Sequence, residues 1–116
     1  MASKEFNCNK IKRSFWTFTM KDKITEKGET EKGETLVVRM PKKEVFEAIK
    51  NLTNAEDGYG VEDLSAAYDL IAAALSNNMN NIKVSPEELK DYDIEECTAI
   101  LNGYMQFVDE LRKDPN

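Results

Sequence analysis

The sequence contains no histidine. Every imidazole triad, imidazole acid–base step and His-ligated zinc site is thereby excluded. Its two cysteines, Cys8 and Cys97, form no CxxC pair and cannot build a four-thiolate metal site. Both read as free thiols, with Cys97 on an apolar helical face as a small buried hydrophobe. No apolar run reaches the ~20 residues of a membrane helix, and Met1-Ala2-Ser3-Lys4-Glu5 leads into polar sequence, so neither a span nor a signal peptide is expected. Glycine and proline are also scarce, at five and three residues. The glycines make no GxGxxG and no GxxxxGK[ST], so no phosphate-cradling loop is present. Asp57-Gly58-Tyr59-Gly60 invites an EF-hand reading, but its first, third and twelfth ligands would be Thr53, Ala55 and Leu64. That cannot hold calcium.

What is present is one domain's worth of chain: 116 residues, 41% hydrophobic and 33% charged, with a net charge of −6. The charge is divided unevenly, with a balance of +4 through Lys50 and −10 from Asn51 onward. The acidic half would repel nucleic acid and anionic membrane, and the basic half is too interleaved with glutamate to track a phosphate backbone. Neither is expected as a partner. Carboxylate pairs such as Glu62/Asp63, Glu87/Glu88 and Glu95/Glu96 fall at helix starts, where the macrodipole accounts for them. No catalytic, cofactor-binding or metal-ligating residue is assigned, and the chain is not read as an enzyme.

The elements follow from periodicity. Residues 1–9 show none and read as a flexible arm. Trp16, Phe18 and Met20 alternate with Phe15, Thr17 and Thr19, a strand, and Leu36, Val38 and Met40 mark a second. Between them Thr25-Glu26-Lys27-Gly28-Glu29 is repeated as Thr30-Glu31-Lys32-Gly33-Glu34. Such polar repeats bury nothing, so 21–34 reads as a mobile hairpin tip.

From Pro41 the period is helical. Val45, Ala48, Ile49 and Leu52 give a helix over 41–53, and Val61, Leu64, Tyr68, Ile71 and Leu75 a second. Ser85-Pro86-Glu87-Glu88 reads as a capping box opening a short helix, and Asp93 with Glu96 caps the last, over about 94–112. That helix carries Ile94, Cys97, Leu101, Tyr104, Val108 and Leu111 on one stripe. Ile100 and Phe107 widen the stripe, with Met105 on its other shoulder. Gly103 within it signals close packing or a slight bend.

The expected fold is α+β: a β-hairpin (10–40) packed on a mainly helical part (41–113), with 114–116 as a tail. The bipolar charge lets copies meet basic end to acidic end, so a homo-oligomer is expected. Because surface ion pairs contribute only ~0–1 kcal/mol each, apolar residues must help. Tyr59, Tyr92, Met105 and Phe107 are the candidate partner-binding residues.

Lys10-Ile11-Lys12-Arg13-Ser14-Phe15-Trp16-Thr17-Phe18 leads into Leu36-Val37-Val38-Arg39-Met40-Pro41. Lys42-Lys43-Glu44-Val45-Phe46 then opens an acidic helical region ending in Gly103-Tyr104-Met105-Gln106-Phe107-Val108. In texture and order this resembles the tail assembly chaperones of long-tailed, siphovirus-type bacteriophages of Gram-positive hosts, from about Lys10 to Lys113. The resemblance implies a non-enzymatic protein of the host cell cytoplasm that binds the tape measure protein and helps recruit tail tube protein. It transfers no functional residue by position. Two other readings fit the same composition: a small acidic regulatory or inhibitory protein that binds a basic macromolecular surface, and a structural tail or head-completion component. Mimicry of nucleic acid would need carboxylates spaced like phosphates along one face, whereas here they cluster at helix starts.

Overall fold

The alternation in the aromatic segment and in Thr35–Arg39 produces one antiparallel ladder in the computed structural model, which describes residues 5–10, 13–53 and 64–113. Strand β1 (Phe15–Thr19) runs against β4 (Thr35–Arg39), with Phe15 opposite Arg39, Thr17 opposite Val37 and Thr19 opposite Thr35. A two-residue period sends Leu36 and Val38 into the core at 0% exposure and half-buries Trp16, Phe18 and Met20 beside them.

Between these strands the repeat forms a second, very short ladder. Here β2 (Lys23–Ile24) pairs with β3 (Thr30–Glu31), and the side chains of both stay exposed. The segment expected as a hairpin tip carries its own short ladder and turn, and the side chains of that ladder bury nothing. The two copies of the repeat use their glycines differently. Gly28 has φ +79 in the turn, where its N–H donates to the Thr25 carbonyl at 2.9 Å. Gly33 passes so close to the Met20 carbonyl that a Cβ there would overlap its oxygen.

The Met20 N–H donates to the Glu34 carbonyl at 2.8 Å, which fixes the phase of the ladder. Even-numbered groups of β1 bond to β4, so odd-numbered groups of β4 point to its far edge. Asn77–Asn80 cover that edge. The Arg39 N–H donates to the Asn77 carbonyl and the Met79 N–H to the Val37 carbonyl, both at 2.9 Å. The Val37 N–H donates to Asn80 Oδ1, also at 2.9 Å.

Helices α1 (Lys43–Thr53), α2 (Leu64–Ser76) and α3 (Ile94–Lys113) pack on one another beneath the ladder. Their contribution to the core includes Ile49, Ile71, Leu75, Leu101 and Tyr104, each at 0–1% exposure. The hairpin on a helical part, and the α+β class, are as the periodicity indicates. Pro41 lies before α1 and not inside its first turn, because the Lys42 carbonyl accepts the first helical bond, from Phe46 N–H at 2.9 Å. Ser85 does not form the expected capping box. Its hydroxyl makes no cap bond, its carbonyl accepts from Glu88 N–H at 3.1 Å, and Pro86–Leu89 is a single 3₁₀ turn. The Asp93 box is realised in both directions: Glu96 N–H donates to Asp93 Oδ1 at 2.8 Å, and Asp93 N–H to Glu96 Oε1 at 3.1 Å.

Candidate functional site

Helix α3 carries an apolar stripe wider than its fully buried face. Cys97, Leu101, Tyr104 and Val108 point inward at 0–3% exposure, while Ile100, Gly103 and Phe107, three and four residues apart, line the neighbouring flank half-buried. Strand β1 meets this flank. The Trp16 ring centroid lies 5.4 Å from Phe18 and 5.1 Å from Tyr104, and Tyr104 stacks on Phe107 at 6.3 Å. A Cβ on Gly103 would sit 3.5 Å from Trp16 Cζ2, so the indole lies over the glycine. The close packing expected of Gly103 is there. Trp16, Phe18, Ile100 and Phe107 thus form an apolar band, partly open to solvent, along the joint of β1 and α3.

The start of α3 is anchored to the end of the ladder by Lys21. Its ammonium bridges Glu96 at 3.0 Å, donates to the Asp91 carbonyl at 3.0 Å and lies 5.4 Å from the centre of the Tyr92 ring. The hydrogen bond to Glu96 holds this ammonium above its ordinary range. Tyr92 Oη accepts from the Lys21 backbone N–H at 2.7 Å, and the Tyr92 carbonyl accepts from Tyr68 Oη at 2.7 Å. Burial pushes the Tyr92 phenol up, with the Lys21 N–H and charge opposing.

The four candidate partner residues fare differently. Tyr59 lies outside the described residues. Tyr92, at 6% exposure, is a core residue whose polar atoms hold Lys21 and Tyr68, so its ring is not free for a partner. Met105 and Phe107 are half-buried on α3, and Phe107 joins Trp16 through Tyr104. Ile94, on the same stripe, is 44% exposed, whereas Cys97 three residues on is fully buried. Trp16 and Phe18 read as core from strand spacing alone. Their place on an edge strand is the signal that would have marked them as half-open.

A second surface lies at the opposite end of the ladder. A groove of about 590 Å³ is lined there by Arg13, Phe15, Arg39, Lys42 and Met79 among others, and no carboxylate lines it among the described residues. Arg39 Nη1 donates to the Asn78 carbonyl at 2.7 Å, which fixes the guanidinium in place.

The described residues hold no cluster of three or more His, Cys, Asp or Glu side chains that could bind a metal ion. Burial pushes the Cys97 thiol up, away from the thiolate that reactivity requires, and both cysteines are free. No described helix is long and apolar enough to cross a membrane. Comparison with family models, with curated proteins and with solved structures finds no match to this chain.

Proposed function

We propose that the protein is a non-enzymatic tail assembly chaperone of a long-tailed bacteriophage, acting in the host cytoplasm to hold the tape measure protein and help recruit tail tube subunits. The observation that carries this reading is the half-open band of Trp16, Phe18, Ile100 and Phe107. A long amphipathic client helix would lay its apolar face along such a band by the helix-in-groove mode. Exposed carboxylates at Asp109 and Glu110 on the same helix would meet basic residues on the client's flanks. The resemblance of the hairpin and of the acidic helical region supports the same reading.

The test is co-expression with the tape measure protein of the same phage. The client should become soluble and co-purify at low salt, and Phe107→Asp or reversal of Asp109 and Glu110 should reduce capture more than changes in the Thr25–Glu34 tip. A client left equally insoluble with no co-purification would overturn the reading. Presence of the protein in purified virions would favour a structural component instead.

A further inference from the structure

We infer that the groove lined by Arg13, Phe15, Arg39, Lys42 and Met79 is a docking site for the acidic start of α3 of a second copy of this chain. The groove is cationic with an apolar floor: Phe15 and Met79 are 39% and 49% exposed, and Arg13, Arg39 and Lys42 are exposed around them. That combination calls for a ligand carrying both a protruding apolar side chain and several carboxylates. The start of α3 has both. Ile94 stands 44% exposed, between exposed Asp91 and Asp93 on one side and exposed Glu95 on the other.

The two surfaces cannot meet within one molecule. The groove lies at the Phe15–Arg39 end of the ladder, whereas Lys21, beyond the Thr19–Thr35 end, ties down Asp91 and Glu96. Six residues of extended chain separate Phe15 from Lys21, about 20 Å. Complementary surfaces at opposite ends of a rigid ladder make a head-to-tail contact, which repeats as a ring or a filament and does not close as a two-fold dimer. Single exposed ion pairs contribute little, so Ile94 entering between Phe15 and Met79 supplies the apolar part of the contact. This inference goes beyond the proposed function and does not depend on which client the protein holds.

Two variants, each blocking one end, test it by light scattering. The groove variant is Phe15→Ser with Lys42→Glu, and the α3 variant is Ile94→Ser with Glu95→Ser. The unaltered chain should show a mass that climbs with concentration above the 13.2 kDa of one chain, and falls again near 1 M salt. Each variant alone should stay monomeric. An equimolar mixture should give twice the mass of one chain and no more, because one intact groove and one intact α3 start remain. Circular dichroism checks folding, and Lys42→Glu with Met79→Ser, both at exposed positions, serves as the groove variant should Phe15→Ser unfold the hairpin. A monomeric unaltered chain at every concentration, a variant that still grows, or a mixture that stays monomeric would overturn the inference.

Discussion

Tyr104 donates its phenolic hydrogen to the Arg39 backbone carbonyl at 2.6 Å, joining the middle of α3 to the last residue of β4 across 65 positions of sequence. The ring is 1% exposed and the hydroxyl is spent on that single bond, so the tyrosine couples the sheet to the helices through packing and a directed contact together. Tyr104→Phe keeps the ring and leaves the carbonyl without this donor, and should cost about 1–2 kcal/mol in urea melts. Tyr104→Ala, which also opens a cavity, should cost about 3–5 kcal/mol.

The same burial sets a response to alkali. Burial holds the Tyr104 phenol far above its ordinary value of 10.0, and burial also raises Tyr92. The unfolded chain loses these protons near pH 10 while the folded chain keeps them. Their contribution is therefore complete below about pH 10 and is lost as pH rises, with Tyr104 the larger part. Denaturant midpoints followed from pH 8 to pH 11.5 should fall steeply above pH 10, and Tyr104→Phe should flatten that fall.

Asn78 makes a different kind of buried contact. Its amide nitrogen donates to the carbonyls of Leu75 and Ile82 at 2.7 Å each, and its oxygen accepts from the N–H groups of Asn80 and Ile82 at 3.0 and 3.1 Å. At 2% exposure it closes the turn that leaves α2 and holds the segment covering the edge of β4. Asn78→Ala strands several buried groups and should cost about 2–4 kcal/mol. Leu101→Ala should cost a similar ~2–5 kcal/mol through its cavity, and Asn80→Ala less than either in the same melts.

Legibility in the sequence followed the strength of the local period. Trp16, Phe18, Leu36 and Val38 alternate cleanly, and Cys97, Leu101, Tyr104 and Val108 keep helical spacing, so the ladder and α3 could be read directly. Asn78 could not. It sits among Asn77, Asn80 and Asn81, and only tertiary contact selects which asparagine is buried. Asn81 in the same run takes the left-handed conformation, with φ 57. Tyr92, a candidate partner residue by sequence, stands in a short polar connection where no local period marks it as buried. It is drawn inward by Leu89, whose carbonyl takes the Tyr92 N–H at 2.9 Å, and by the 71-residue-distant Lys21 amide. The interaction surfaces were least legible, since Phe15 and Arg39 lie far apart in sequence until the ladder pairs them.

The tandem repeat yields a prediction in which a smaller change does more damage. Deleting Thr30–Glu34 removes four exposed residues and the half-buried Gly33, and lets Gly28 and Glu29 fall where Gly33 and Glu34 stood, directly before Thr35. The lead into β4 is regenerated by the surviving copy, and shortening a loop changes its closure cost only slowly, so the deletion should cost less than about 1 kcal/mol. Gly33→Ala has no such remedy. Its Cβ would overlap the Met20 carbonyl oxygen, a backbone atom of the residue whose N–H closes the ladder by donating to the Glu34 carbonyl. Gly28→Ala meets nothing within 4 Å and strains only the positive φ of its turn, at about 1–2 kcal/mol. Urea melts should therefore rank Gly33→Ala as the most destabilising, Gly28→Ala next and the five-residue deletion least. A deletion more damaging than Gly33→Ala would mean that the β2–β3 ladder, and not the approach of Gly33 to Met20, holds the hairpin together.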